Sequence, residues 1–255
     1  MKLENKVAIV TGGAMGNGKG IVDVFRKYGA KVCVLDYSEE VYNLEEGIDK
    51  YKVDVRDKEA VTNIVNEIGE KYGKIDVVVN NAGVCILETF EKMEDDLRDF
   101  HFDVNIKGIW HVTKAAIPYM KKAGKGSIVN LSSVTGPMVA DSGEVAYATT
   151  KAAIIGFTKG LAAEMVEYNI RVNAIQPGYI YTPLIDTMAK TTNPENPQEV
   201  IDSIASAIPM KRMGKIEEIG ELAAFLASDE SSYITAQGIV IDGGSTLPET
   251  SSMGV

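Results

Sequence analysis

The sequence has few cysteines and few histidines. Two residues of each type occur among 255: Cys33, Cys85, His101 and His111. The cysteines form neither a disulfide framework nor a metal-ligand spacing, and the histidines lie on one predicted helix without metal-like spacing. We therefore expect no metal site, and we interpret both histidines as structural or interfacial. Cys33 lies within an apolar strand pattern, which predicts a buried and unreactive thiol.

Basic residues and long apolar runs are also scarce. The chain has 26 Lys and Arg against 36 Asp and Glu, a formal net charge of −10. Surfaces that bind nucleic acid or anionic membranes carry excess positive charge, so this balance argues against both. No apolar run reaches the roughly 18 residues of a membrane-spanning helix, and residues 1–10 lead into a strand rather than a signal peptide. We expect a cytoplasmic protein that binds neither nucleic acid nor membrane.

Short β-rich runs alternate with helical patterns along the whole chain. Alternation of this kind implies a parallel sheet with right-handed crossovers. The prediction is an α/β protein: a single Rossmann-type doubly wound domain over 1–255, with a seven-stranded parallel sheet, helices on both faces and a short helical substrate lid at about 183–213. Strands are predicted at 6–10, 31–36, 51–55, 75–83, 126–133, within 169–182, and at 238–244. A long helix is predicted over 95–123 and another over 145–165.

The first two strands flank a glycine-rich turn. The segment TGGAMGNGKG follows the first strand, a helix comes next, and the second strand ends at Asp36. Glycine lets the backbone approach a pyrophosphate closely, and a helix N-terminus supplies free N–H groups and a positive dipole end. With Gly12, Gly16 and Gly18 in the turn, this unit predicts dinucleotide binding.

The end of the second strand indicates which dinucleotide binds. A carboxylate there accepts hydrogen bonds from a ribose diol and repels a 2′-phosphate. Tyr37 and Ser38 follow Asp36, with no Arg, so the prediction is NAD rather than NADP; the alternative is an ordinary solvated Asp. Asp54, at the end of the third strand, is a candidate for the adenine amine. For Asn81, a tie between neighbouring strands and simple turn chemistry both remain open.

The segment from Ser133 to Lys151 carries the candidate chemistry. Tyr147 and Lys151 are spaced i,i+4, so they lie on the same face of a helix. A nearby ammonium favours the phenolate, and such a tyrosine can take or return the proton of an alcohol. The alternative is a packed ring beside a solvated lysine. Ser133 ends the fifth strand, and Asn105 lies among apolar residues, where its amide needs partners.

Together these motifs resemble the NAD-dependent short-chain dehydrogenase/reductase family from about Val7 to Gly244. The residues that carry the resemblance are Thr11, Gly12, Gly16, Gly18, Asp54, Asn80, Asn81, Ala82, Gly83, Asn105, Ser133, Tyr147, Lys151, Pro177, Gly178 and Thr182. Three segments, VCILETF, VTGPMVADSGEVAYA and DESSYITAQGIVIDGGSTLPET, are similar to the UcpA-like oxidoreductases within that family.

The resemblance implies a catalytic tetrad. Tyr147 is then the general acid/base, and Lys151 lowers its pKa and binds the nicotinamide ribose. Ser133 bonds the substrate oxygen, and Asn105 holds a water in a relay from Lys151 to solvent. The same resemblance implies cofactor contacts from Gly12, Met15, Gly16, Asn17, Gly18, Asp36, Tyr37, Asp54, Val55, Asn81, Ala82, Gly83, Pro177, Gly178, Ile180 and Thr182. Asn17 departs from the family, which usually has an apolar residue there.

The expected substrate is a small molecule, a hydrophobic or cyclic secondary alcohol or its ketone, such as a hydroxysteroid. Candidate pocket residues besides Ser133 and Tyr147 are Val134, Met138, Val139, Glu144, Tyr179, Thr182 and Met188. Glu144 either faces the site or is a solvated acid at a helix start. The family commonly forms tetramers, so we expect a homotetramer. Alternatives are a sugar, polyol or 3-oxoacyl substrate, an epimerase or dehydratase, and a dinucleotide-binding regulator without turnover.

Overall fold

Short segments rich in Val and Ile form the strands of one parallel sheet. The computed structural model describes residues 1–247; the last part of the domain predicted over 1–255 lies outside the described residues. Within residues 1–247 the sheet has seven strands in the order β3-β2-β1-β4-β5-β6-β7, every neighbouring pair parallel. The strands are β1 Val7–Thr11, β2 Lys31–Asp36, β3 Asp49–Lys52, β4 Val77–Asn80, β5 Gly126–Leu131, β6 Ile170–Pro177 and β7 Gly238–Ile241.

Helices connect the strands and cover both faces of the sheet. They are α1 Gly16–Lys27, α2 Lys58–Tyr72, α3 Asp95–Phe102, α4 Gly108–Ala123, α5 Val145–Met165, α6 Pro183–Thr192, α7 Pro197–Ala207 and α8 Ile216–Ala227. No helix within residues 1–247 is long and apolar enough to cross a membrane. The predicted doubly wound α/β fold is confirmed.

Alternate residues of the strands pack into two separate apolar layers, one on each face of the sheet. Ala8 and Val10 of β1 pack with α1 and α8 on one face, whereas Val7 and Ile9 pack with α2, α4 and α5 on the other. A strand buried on both faces is apolar at every position, which explains the continuous apolar runs of the central strands. Cys33 lies in the second layer, and burial raises the pKa of its thiol.

Several predicted elements have different bounds in the structure. The strands predicted at 75–83, 126–133 and 238–244 are the shorter strands Val77–Asn80, Gly126–Leu131 and Gly238–Ile241. The third strand, predicted at 51–55, is Asp49–Lys52 at the edge of the sheet. Val53 N–H donates at 2.8 Å to the carbonyl of Asp36, which is the last residue of β2. Residues after Val53 therefore have no β2 residue to pair with. The helix predicted over 95–123 is interrupted by a π-helical turn at Asp103–Lys107. Such single turns often occur at functional sites, and this one contains Asn105.

The strand order reverses between β1 and β4. From β1 the chain proceeds outward to β2 and β3, and then crosses back to begin β4 on the other side of β1. In open parallel sheets the crevice outside the carboxyl ends of such strands is where ligands bind. Asp36, Asn81 and Ser133 all follow or end strands at this edge.

Candidate active site

The backbone of the glycine-rich turn between β1 and α1 leaves no room for side chains at its key positions. Gly12 and Gly16 have φ of 62° and 55°, in the left-handed region. A Cβ on Gly18 would lie 1.9 Å from the carbonyl oxygen of Gly12, so only glycine fits there. Helix α1 then begins at Gly16 without a side-chain cap on its first turn. The turn therefore offers uncapped N–H groups at a bare backbone cradle, which suits a pyrophosphate.

Asp36 fastens this turn to the end of β2. Its Oδ2 accepts from Ala14 N–H and its Oδ1 from Ser38 N–H, both at 2.9 Å. The residue is buried but lines the cleft above the sheet. Both oxygens keep a lone pair, so the carboxylate can still accept hydrogen bonds from a diol.

Asn81 ties β4 to β1 across the switch point. Its Nδ2 donates to the carbonyls of Thr11 at 3.0 Å and Gly12 at 2.8 Å. The hydroxyl of Thr11 in turn accepts from the N–H groups of Asn81 and Ala82, each at 3.0 Å. Of the two interpretations left open by the sequence, the structure supports a tie between strands.

Ser133 and Tyr147 are neighbours at the edge of the cleft. Ser133 follows β5, Tyr147 lies in the first turn of α5, and the Ser133 side chain lies close enough to the phenol to lower its pKa. Lys151 lies one turn later and is buried; its Nζ donates to the carbonyl of Leu131 at 2.8 Å. That nitrogen is 5.5 Å from the centroid of the Tyr147 ring. The predicted one-face arrangement of phenol and ammonium is therefore present.

Burial governs the ionisation of this pair. It raises the pKa of Tyr147 to about 12, against a smaller lowering by the neighbouring Ser133 side chain. It also lowers the pKa of Lys151 to about 8. The sequence predicted a lowered pKa for Tyr147, whereas the pKa is raised. The i,i+4 spacing shows that a cation is near but does not show how deeply both groups are buried. With the protein's groups alone, Tyr147 is protonated at neutral pH.

Asn105 is buried against the loop that follows β4. Its Oδ1 accepts from Val84 N–H at 2.8 Å, and its Nδ2 donates to Val84 O and to Thr150 Oγ1, both at 3.0 Å. A Cβ on Gly83 would lie 3.3 Å from Asn105 Oδ1 and 3.5 Å from Lys151 Nζ. Asn105, Gly83 and Lys151 are thus neighbours.

The glycine-rich turn, Asp36, Asn81, Ser133, Tyr147 and Lys151 line one cleft of about 1440 Å³. The predicted residues that line it are Gly12, Met15, Gly16, Asn17, Asp36, Tyr37, Asp54, Val55, Asn81, Ala82, Gly83, Ser133, Val134, Val139, Glu144, Tyr147, Lys151, Pro177, Gly178, Tyr179, Ile180 and Thr182. No group of three or more metal-ligating side chains is found within residues 1–247. The cleft joins the dinucleotide cradle to the Tyr147 hydroxyl.

Known proteins are similar to this chain in sequence and fold over nearly their full lengths. A family model described as Enoyl-(Acyl carrier protein) reductase matches residues 12–246. Oxidoreductase UcpA of Escherichia coli (strain K12) is 52% identical over 261 residues, covering 100% of this chain and 99% of that protein. The chain belongs to the short-chain dehydrogenase/reductase family.

Other members of the family are similar at lower identity. The 3-oxoacyl-[acyl-carrier-protein] reductase FabG of Thermotoga maritima is 42% identical, covering 96% of this chain and 99% of that protein. The ligand-free structure of Thermoplasma acidophilum aldohexose dehydrogenase superposes with a TM-score of 0.91 at 36% identity, covering 96% of both chains. As a member of the short-chain dehydrogenase/reductase family, the protein is an oxidoreductase that binds a nicotinamide dinucleotide.

Four residues predicted for the short-chain dehydrogenase/reductase site do not line the cleft. Gly18 is covered by the backbone of Gly12, and Asn105 lies behind Val84. Met138 is about half exposed within the loop after Ser133. Met188 packs with the buried residues Ile185, Ile208 and Met213, because it lies on the apolar face of α6. The two methionines therefore give no apolar surface to a substrate.

The family's usual apolar residue beside the last turn glycine is replaced by Asn17. Its Oδ1 is buried and has no hydrogen-bond partner within residues 1–247. An orphaned buried acceptor next to the cradle is compatible with a dinucleotide, whose amide and hydroxyl groups are donors. The bare cradle and the strand-end carboxylate fit the same group.

Several cleft residues were not predicted from the sequence. Cys85, Asp141 and Arg56 also line the cleft. Arg56 is paired with Asp54 at 2.6 Å, and this pairing lowers the pKa of that carboxyl. Cys85 immediately follows the Asn-Asn-Ala-Gly-Val segment, which is a signal for its position. Nothing local marks Asp141, which reaches the site through the course of its loop.

Proposed function

We propose that the protein is an NAD(H)-dependent oxidoreductase that interconverts a secondary alcohol and a ketone. The observation that carries the proposal is that Ser133, Tyr147 and the buried Lys151 line the same cleft as the dinucleotide cradle, with the Lys151 nitrogen 5.5 Å from the centroid of the Tyr147 ring. Ser133 and Tyr147 bond the reacting oxygen, and Tyr147 gives or takes its proton. When bound, the nicotinamide dinucleotide accepts or supplies the hydride.

Asp36 supports NAD as the dinucleotide. Its buried carboxylate attracts ribose hydroxyls and repels a 2′-phosphate. The nearby cation of the cleft, Arg56, is already paired with Asp54 and lies 5.0 Å from the Phe100 ring centroid. The proposed dinucleotide contacts are the predicted cofactor-binding residues that line the cleft. Gly18 lies behind them, where its missing side chain lets the backbone of Gly12 pack closely.

The proposed proton path starts at Tyr147. Because its pKa is about 12, the phenol is ready to donate to a ketone oxygen at neutral pH. In oxidation it must lose that proton, and the Lys151 ammonium is the positive charge that the protein holds beside it. We propose that Asn105 orders the far end of a water relay from Lys151.

For the substrate we retain a cyclic secondary alcohol, such as a hydroxysteroid, against the apolar walls of Val134 and Val139. A specific observation favours a second class, neutral sugars and polyols. Glu144 and Asp141 line the same side, and Glu144 lies close enough to Tyr147 to raise its pKa. Carboxylates accept bonds from hydroxyls and repel anionic substrates. The similarity to aldohexose dehydrogenase agrees with that class. We propose α6 and α7 as the substrate lid.

The decisive test compares the parent with Tyr147→Phe on a panel with NAD or NADH, followed at the NADH absorbance. The panel holds hydroxysteroids, cyclic alcohols, aldohexoses, polyols and a 3-oxoacyl thioester. We expect NAD-linked turnover of at least one neutral alcohol, and a loss of at least ~100-fold in kcat in the variant. Tyr168→Phe, on the surface after α5, is the matched control. Equal turnover by Tyr147→Phe and parent would remove Tyr147 from the mechanism.

We also propose a homotetramer in the cytoplasm. Trp110 on α4 is 56% exposed and its ring centroid lies 5.2 Å from that of Phe157 on α5, an apolar surface suited to a partner copy. The free thiols of Cys33 and Cys85 suit a reducing compartment. Sedimentation that shows only monomer would refute the tetramer.

A further inference from the structure

The imidazole of His101 is fully buried and uses both ring nitrogens. Nε2 accepts from the N–H of Ile86 at 3.1 Å, and Nδ1 lies 2.8 Å from the carbonyl oxygen of Leu97. A backbone N–H only donates and a carbonyl only accepts, so the ring is neutral with its proton on Nδ1. His101 therefore links helix α3 to the loop after β4, in a single tautomer.

Asn105, four residues after His101, bonds the same loop at Val84, two residues before Ile86. It holds both the N–H and the carbonyl of Val84. The backbone is therefore fixed on either side of Cys85 by two side chains of one helical segment. Cys85 lines the cleft, and a charge on it raises the pKa of both Tyr147 and Lys151, which places it near both.

The loop has few other attachments. Residues 81–94 contain neither helix nor strand, so their backbone N–H groups depend on side chains and single loop contacts. Glu88 N–H donates to the carbonyl of Gly143 at 3.0 Å, on the other side of the substrate space. Without the His101 ring, Ile86 N–H loses the partner that holds it beside the cleft.

We propose that His101 is a positioning residue that, together with Asn105, clamps residues 84–86 and holds the Cys85 wall beside Tyr147. The clamp shapes the substrate side of the cleft, whereas Asn81 and the glycine-rich turn hold the dinucleotide side independently. Its catalytic consequence rests on the proposed function. The clamp itself is a property of the chain and can be measured without any substrate.

Two substitutions separate the clamp from simple packing. His101→Gln has a side chain long enough to place an acceptor near Ile86 N–H. His101→Asn keeps a donor for Leu97 O but is too short to reach Ile86. Packing alone predicts that a third variant, His101→Leu, behaves like His101→Gln, because leucine has about the volume of glutamine but no acceptor. The clamp predicts that glutamine rescues, whereas asparagine and leucine do not.

The first readout is the reaction of Cys85 with 5,5′-dithiobis(2-nitrobenzoate) in the protein without dinucleotide. Cys33 is buried, and a Cys85→Ala background measures any contribution from it. We expect the thiol of His101→Asn to react about tenfold faster than the parent's, because the variant loses roughly one hydrogen bond that holds the loop. The thiol of His101→Gln should react at a rate close to the parent's. Equal rates in the two variants overturn the proposal.

The second readout is kinetic. In His101→Asn we expect the KM for the alcohol or ketone to rise about tenfold while NADH affinity, followed by fluorescence, stays within about twofold. Equal weakening of both ligands overturns the clamp. A parent that turns over no alcohol refutes the proposed function and leaves the thiol readout decisive for the clamp. Should His101→Asn not fold, hydrogen exchange of the Ile86 amide in the parent decides, and rapid exchange overturns the proposal.

Discussion

Replacing Lys151 with methionine should stabilise the protein at neutral pH while abolishing its activity. The lysine is buried, and burial lowers its pKa from 10.5 to about 8. Burying an ammonium without a carboxylate partner costs free energy of folding, which an active site tolerates for its chemistry. Methionine has a similar length and no charge, so it fills the same space without that cost.

The size of the effect follows from the pKa values. At 1.36 kcal/mol per pKa unit, a fall from 10.5 to about 8 corresponds to about 3 kcal/mol at pH 7. Methionine also leaves the carbonyl of Leu131 without the Lys151 donor, which costs ~1 kcal/mol. The expected net gain in the free energy of unfolding is therefore about 2 kcal/mol.

The pH dependence has a definite sign. Between about pH 8 and 10.5 the unfolded chain binds a proton at this lysine and the folded protein does not. The stability of the parent therefore rises with pH across that window. The advantage of Lys151→Met should be full below pH 8 and gone by about pH 10.5, where the lost hydrogen bond makes it slightly less stable.

Urea unfolding at several pH values from 7 to 10, at one protein concentration, measures this difference. Lys122→Met, at an exposed lysine near the end of α4, is the matched control and should stay within about 0.5 kcal/mol of the parent throughout. A Lys151→Met protein that is less stable than the parent at pH 7, or a difference independent of pH, would refute the reasoning.

Three further outcomes are expected. Asp36→Ala should reduce the preference for NAD over NADP at least ~10-fold, measured as the ratio of kcat/KM values, because the repulsion of a 2′-phosphate is lost; an unchanged ratio would assign selectivity elsewhere. Gly18→Ala places a Cβ 1.9 Å from a backbone oxygen and should weaken NADH binding ~100-fold, while Gly156→Ala, which has open space, should not. Trp110→Glu should dissociate the proposed tetramer in sedimentation, whereas Tyr42→Glu, at a similarly exposed aromatic, should leave it intact.

Features defined by short spacings could be predicted from the sequence. The glycine-rich turn between β1 and α1, Asp36 at a strand end, and the i,i+4 pair of Tyr147 and Lys151 each depend on residues close together in the chain. Because parallel strands present their carboxyl ends at one edge, these local features also predict a common site. The alternation of strands and helices likewise determined the fold class.

Edges and interruptions were harder to predict. The third strand ends at Lys52 because β2 ends at Asp36 beside it, so its length is set by a neighbour. The π-helical turn around Asn105 has no periodic signal, since the apolar pattern of the long helix continues on both sides of it.

The amino-acid sequence by itself determined the order of elements, the bare glycine-rich turn and the identity of the groups at the carboxyl edge of the sheet. Only the tertiary structure decided how those groups ionise and which loops they hold. Burial of Lys151 is a sum over distant segments, and the bond from Ile86 to His101 spans a loop without periodicity. Solvation and partner choice depend on every chain segment that packs around a group, whereas spacing reports only the nearest turn or strand.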